Sequence, residues 1–175
     1  MPHTIRTERL TLRPASLRGA RAFWHEVRYW PVLGNTGSWP YPLSYTHTAF
    51  MLRTAAASDG RDHVFFMIRG TRPIGSIGLH RDRGRISSLG YMIGEDHWGL
   101  GLTSEAVRAV CRFGFRQLRL EAISAVVAEW NEPSKRVLLK NGFQATGRSV
   151  SGYSQAQKRE VVHNDFLLRP IDVPR

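Results

Sequence analysis

The sequence predicts an α+β domain, and three observations carry that prediction. Three strand-like runs, 63–69 (HVFFMIR), 73–80 (PIGSIGLH) and 86–93 (ISSLGYMI), follow one another with turn chemistry between them, as in an antiparallel meander. The stretch at 90–115, GYMIGEDHWGLGLTSEAVRAVCRFGF, opens as a strand, turns through Gly99 and Gly101, and becomes helical at Ser104. A short apolar run at 122–128, AISAVVA, suits a central strand flanked by helices.

Each remaining element follows in order. Residues 5–13 alternate through Ile5, Leu10 and Leu12 and predict a first strand that ends before Pro14. A helix is expected over 16–30, with Ser16 at its N-cap and Ala20, Phe23, Trp24 and Val27 at helical spacing. Pro, Gly and aromatic residues fill 30–45, which predicts an irregular but structured loop. A second helix is expected over 46–57, started by Thr46 or Thr48 and ended by a turn at 58–60. Gly75, Gly78 and Gly90 lie within strands and mark bulges or close backbone approach. The helix from 104 to about 118 should bury Ala106, Val107, Val110, Phe113 and Gly114. Asn131 caps a further helix, with Pro133 in its first turn and Gly142 as its stop. A strand at 145–150, a polar loop at 151–159 and a closing strand at 160–168 complete the chain.

Composition narrows the function classes. At 175 residues, with 42% hydrophobic and 10% aromatic residues, the chain is expected to form one domain (1–175) with a core that needs no metal or disulfide. Cys111 is its single cysteine, so an internal disulfide is excluded and no metal cluster is expected. No apolar run has the length of a membrane helix and the N-terminus lacks the apolar core of a signal peptide, so a cytoplasmic location is expected. The formal charge is +11, from 22 Arg and 3 Lys spread along the chain, which reads as a solvated basic surface or as attraction for an anionic cofactor. No nucleic-acid recognition motif accompanies it.

The glycine turn is the chemically informative stretch. Two glycines between a strand and a helix let the backbone approach a ligand closely, and the first helical amides point unpaired N–H groups where an anion is favoured. The turn reads as a seat for a pyrophosphate. Glu95, Asp96 and His97 just upstream are candidate general bases, and Glu105 in the first helical turn is assigned to capping.

Five stretches stand in a telling order and spacing: TERLTLR (7–13), IGSIGL (74–79), LGYMI (89–93), WGLGLTSEA (98–106) and NEPSKRVLLKNGF (131–143). In these the sequence resembles the GNAT superfamily of N-acetyltransferases, and more narrowly its RimJ/RimL-like branch. The resemblance implies a GNAT fold: a mostly antiparallel sheet with a V-shaped splay between two parallel strands. It implies acetyl-CoA as co-substrate, no metal, and transfer of the acetyl group to a primary amine, either a protein N-terminus or a small molecule. Family members often form homodimers.

The same resemblance supplies site residues. Gly99, Leu100, Gly101, Leu102, Thr103 and Ser104 would cradle the pyrophosphate, with Trp98 and Thr103 standing where the family pattern usually has other residues. A backbone amide near Met92 or Ile93 would face the thioester carbonyl, and Asn131 would reach the pantetheine arm. Many superfamily members place a Tyr seven residues after this Asn, where this chain has Leu138; the RimL-like branch uses a Ser, matched here by Ser134. Glu95 is the expected base and Ser134 the expected hydrogen-bond donor to sulfur. Trp39, Tyr41 and Tyr153 are candidates for lining the acceptor site. The alternative reading is a non-catalytic acyl-CoA-binding module of the same fold.

Overall fold

Side chains along a strand alternate between faces, so Phe65 and Met67 point one way and Phe66 and Ile68 the other. All four are buried, which requires the strand to be covered on both sides. The computed structural model, which describes residues 4–58, 60–82 and 84–172, shows how this is done. The turns expected at 58–60 and 81–85 include Asp59 and Arg83, which lie outside the described residues.

The chain begins with β1 (Ile5–Arg6) and β2 (Thr11–Pro14), an antiparallel hairpin where one strand over 5–13 is expected. The Thr7 hydroxyl is responsible, donating to Leu10 O and accepting from Leu10 N–H, both at 3.0 Å, and so closing a turn on itself. Helix α1 (Leu17–Val27) starts after Ser16, whose side chain makes no capping bond, and it stops short of residue 30. The aromatic loop contains a short helix, α2 (Trp30–Leu33), with Pro31 in its first turn. Ser44, rather than Thr46 or Thr48, caps α3 (Tyr45–Ala56) by accepting from His47 N–H at 3.0 Å.

Strands β3 (Asp62–Arg69), β4 (Arg72–Arg81) and β5 (Ile86–Ile93) form the meander. Helix α4 (Leu102–Arg116) leads to β6 (Ala122–Ala128), and α5 (Glu132–Lys140) leads to the hairpin of β7 (Gln144–Ser154) and β8 (Arg159–Leu168). The polar segment expected as a loop at 151–159 is mostly strand, with Ser151 opposite Val162 and Tyr153 opposite Glu160. β7 is a sheet edge and largely exposed, so it folds as a strand without the apolar alternation that identifies one.

The eight strands run in the order β1-β2-β3-β4-β5-β6-β8-β7, and the β5–β6 pair is parallel while its neighbours are antiparallel. Helices α1 and α3 cover one face, where Phe23, Val27, Leu33 and Leu52 meet Phe66, Ile68 and Met92. The other face carries α4 and α5 and the larger core, which includes Val107, Val110, Phe113 and Leu138 against Phe65, Met67, Leu79 and Ile123. Gly114 belongs to this packing: a Cβ there would stand 2.9 Å from Leu79 Cδ1. No described helix is long and apolar enough to cross a membrane.

Candidate active site

The site is set by the place where β5 and β6 part. Their parallel register joins Ile86 to Ala122, Ser87 to Ile123 and Ser88 to Ser124, and then stops, although the strands continue to Ile93 and Ala128. Beyond Ser88, β5 stays paired with β4, and β6 with β8. The two strands therefore enclose a V-shaped gap.

The phase of the β4–β5 ladder decides which groups face that gap. Asp82 N–H donates to Ile86 O (3.1 Å) and Gly94 N–H to Ile74 O (2.9 Å), at the two ends of the pair. In an antiparallel ladder every second residue bonds to its partner and the residues between turn the other way. Met92, opposite Ser76, thus directs its amide to β4, while Tyr91 and Ile93 direct theirs into the gap. Of the two amides expected near the thioester, that of Ile93 faces the gap and that of Met92 does not. Gly75 allows β4 to lie this close, because a Cβ there would overlap Met92 O and stand 2.8 Å from Ile93 Cα. The Ile93 carbonyl accepts from the Trp98 indole at 3.0 Å, so Trp98 is folded back onto the strand end.

At the mouth of the gap, a 3-10 turn (Glu95–His97) passes the chain to the glycines. Gly99 and Gly101 have φ of 72° and 73°, a conformation that costs a side-chain-bearing residue about 1–2 kcal/mol. With Gly101 as N-cap, α4 starts at Leu102 rather than at Ser104. Its first intrahelical bond runs from Glu105 N–H to Gly101 O (3.1 Å), so the amides of Leu102, Thr103 and Ser104 precede any helix carbonyl that could accept from them. The Ser104 hydroxyl is buried and accepts from Asn141 Nδ2 at 2.9 Å, leaving Ser104 its amide to offer.

A residue missed in the sequence stands beside this turn. Arg9, in the β1–β2 turn, donates through Nε to Glu105 Oε2 (2.7 Å) and through Nη1 to Leu100 O (2.8 Å), and its amide donates to Glu105 Oε1 (2.8 Å). Glu105 therefore anchors Arg9 and does not cap its own helix. Burial alone would raise the Glu105 carboxyl; the Thr7 hydroxyl and the Arg9 amide and guanidinium offset this and hold it below the usual carboxylate range. The signal was present in the TERL motif, but only the fold brings residue 9 to residue 105.

On the other side of the gap, Asn131 Oδ1 accepts from Ser134 N–H (3.2 Å) and caps α5 as expected. The Ser134 hydroxyl lies 2.8 Å from the Tyr91 phenol, which crosses from β5. Burial pushes that phenol up to about 12, only partly countered by the Ser134 bond. Leu138 is fully buried in the core.

Of the three candidate bases, Glu95 and Asp96 are exposed. His97 is three-quarters or more buried and its Nε2 lies 3.5 Å from Glu26 Oε2 on α1, a partner the sequence did not reveal. Its Nδ1 is buried without a hydrogen-bond partner among the described residues.

The face carrying α1 and α3 holds an open depression of about 500 Å³ lined by His47, Met51, Tyr153 and Gln155, with Ser38 and Pro40 at its rim. Loop and hairpin are tied here by Gln155 N–H to Gly37 O (2.8 Å), Ser154 Oγ to Thr36 O (3.1 Å) and Gln157 Nε2 to Gly34 O (2.9 Å). Tyr153 faces this space. Trp39 instead packs edge-on against Phe23, with 6.0 Å between ring centres, and Tyr41 packs against Trp30 at 5.1 Å. The Trp39 ring also stands 6.4 Å from that of His47, which lines the depression.

The Acetyltransferase (GNAT) domain family model matches residues 9–144, from the anchored arginine to the start of β7. The chain belongs to the GNAT acetyltransferase family. It is 30% identical over 165 residues to the N-acetyltransferase p20 of Bacillus licheniformis, covering 89% of this chain and 90% of that one. Membership makes it an acetyl-CoA-dependent acyltransferase. The structure of RimJ from Mycobacterium smegmatis, in complex with a CoA disulfide, superposes with a TM-score of 0.86 over 99% of this chain and 90% of that chain at 20% identity. RimL, an alpha-N-protein acetyltransferase in complex with coenzyme A, superposes with a TM-score of 0.84 over 95% and 98% of the two chains at 17% identity. These likenesses establish the GNAT fold, with its splay between β5 and β6.

Proposed function

We propose that the chain, as one domain over 1–175, transfers the acetyl group of acetyl-CoA to a primary amine by direct attack in a ternary complex. The observation that carries this reading is the gap beyond Ser88 and Ser124, with an anion seat of free helix amides at its mouth. The amides of the turn from Gly99 to Ser104 hold the pyrophosphate, with Trp98 bracing the turn, and Arg9 adds positive charge beside it. The pantetheine arm enters the gap against Asn131. The Ile93 amide donates to the thioester oxygen, where negative charge grows as the amine nitrogen adds to the carbonyl carbon. The adduct nitrogen gives its extra proton to water, the C–S bond breaks with its electron pair going to sulfur, and Ser134 donates a hydrogen bond to that sulfur.

The amine must arrive deprotonated. Glu95, exposed just beyond β5, takes the ammonium proton through water, and His97, paired with Glu26 of α1, lies in the same turn. The acceptor lies on the α1 and α3 face, with Tyr153 lining its site and Trp39 and Tyr41 supporting the loop around it. The acceptor is a peptide N-terminus or a small-molecule amine, and no step requires a metal.

Thiol release from acetyl-CoA, measured with a panel of small amines and N-terminal peptides, tests the reading alongside calorimetric binding of CoA. Turnover with at least one amine is expected. CoA binding without transfer to any amine would leave a non-catalytic binding module, and absence of both would overturn the proposal.

A further inference from the structure

Tyr91 and Ser134 face each other from the two arms of the V. Tyr91 belongs to β5, and Ser134 to the first turn of α5, directly after β6. Their hydroxyl oxygens are 2.8 Å apart, and the phenol oxygen is 3.3 Å from the Ser134 carbonyl. The closer hydroxyl pair carries the stronger contact, and in it either oxygen can be the donor. The phenol is buried and keeps its proton well beyond neutral pH, so it serves as a donor throughout the working range.

A hydroxyl has one proton to give and two lone pairs to accept with. When Tyr91 donates to Ser134 Oγ, it fills a lone pair and leaves the serine proton uncommitted. The Ser134 amide is already held by Asn131 Oδ1, which fixes the serine backbone on the side of the gap where Asn131 stands. A serine hydroxyl alone rotates freely and is a weak donor; one that accepts a bond is oriented and is polarised as a donor.

We propose that Tyr91 is a positioning residue for the leaving group, holding the Ser134 hydroxyl by donation across the gap so that the serine proton is directed at the coenzyme sulfur. This rests on the acetyl-CoA reading above and goes beyond it. The hydrogen bond favours the thiolate over the thiol, so it acts on bound CoA even when no amine is present. The proton itself stays on Ser134, and the departing thiolate is later protonated from water. A hydroxyl contributed from β5 thereby serves a chain whose α5 carries the buried Leu138 instead of a donor.

The test is the ionisation of the CoA thiol on the protein, followed by thiolate absorbance as pH is raised, with CoA affinity measured by calorimetry. Wild-type protein is expected to lower the thiol pKa of bound CoA by about half a unit or more relative to free CoA. Tyr91→Phe and Ser134→Ala are each expected to abolish that lowering, with no further change in the double variant. The Cys111 thiol, pushed up to about 12 by burial, does not obscure the reading. Ser134→Ala reports independently should Tyr91→Phe fail to fold. An unshifted thiol in wild-type protein that binds CoA, or a lowering retained in either variant, overturns this inference alone. Failure of wild-type protein to bind CoA overturns the cofactor reading with it.

Discussion

Arg9 and Glu105 are 96 positions apart and meet in a two-pronged contact, with amide and guanidinium nitrogens of Arg9 at 2.8 and 2.7 Å from the two carboxylate oxygens. The same guanidinium holds Leu100 O, so the β1–β2 turn is locked to the glycine turn. A half-exposed ion pair of this kind stabilises the fold by about 1 kcal/mol or less. Its larger consequence is positional, because it fixes the Arg9 guanidinium beside the glycine turn, where the proposed reading seats the pyrophosphate.

Arg9→Gln is therefore expected to weaken CoA binding by about tenfold, as loss of one charge-assisted contact would. Pantetheine, which has no phosphates, should bind wild type and variant alike. Calorimetry with both ligands checks this, and equal weakening for both would show that the residue acts only on folding.

Acid should dissolve the same contact. Glu105 is held below the usual carboxylate range, so its stabilising contribution is present above its unfolded-state pKa and is lost as pH falls through the folded value. Thermal melting of wild type against Glu105→Gln should differ at neutral pH and converge under acid.

The Tyr91 phenol predicts a loss at the alkaline end. Its pKa is raised from 10.0 to about 12, so the folded state holds the proton more tightly and stability falls between those values. Two units correspond to about 2–3 kcal/mol, and Tyr91→Phe should remove that share of the alkaline loss in denaturant melts followed across pH. Cys111, raised from 9.0 to about 12, contributes a similar loss that remains in the variant.

Glu95→Gln is expected to lower kcat by about 10²-fold or more while CoA affinity is unchanged, and the loss should be greatest with the most basic acceptors, whose ammonium gives up its proton to buffer least readily. A steady-state pH profile of both proteins checks it. If the acid limb persists in Glu95→Gln and disappears in His97→Gln, the proton leaves through the His97–Glu26 pair.

Gly75→Ala should disrupt the sheet beside the gap. The added Cβ meets the backbone of Met92 and Ile93, which cannot rotate away, so a destabilisation of about 1–3 kcal/mol is expected. Chemical denaturation measures it. Gly90→Ala, where a Cβ meets nothing within 4 Å, serves as the control.

Local pattern carried much of the fold. Alternation and turn residues placed the meander, β6 emerged with its full span, and Asn131 with Pro133 marked the start of α5, because these depend on period and capping within a few residues. The two glycines likewise marked the turn into α4, since a left-handed backbone before a helix demands them locally. β7 was legible only in part, because an exposed edge strand needs no apolar alternation.

The tertiary structure decided what lies across elements. The β4–β5 ladder phase, and not any residue preference, turns Ile93 rather than Met92 toward the gap. Long-range contacts bring Arg9 to Glu105, Tyr91 to Ser134 and Glu26 to His97, pairs that sequence spacing cannot encode. The sequence by itself determined most of the elements and the left-handed glycine turn ahead of α4, because these rest on period and backbone conformation within a few residues; packing the sheet between its helices determined which side chains stand around that turn.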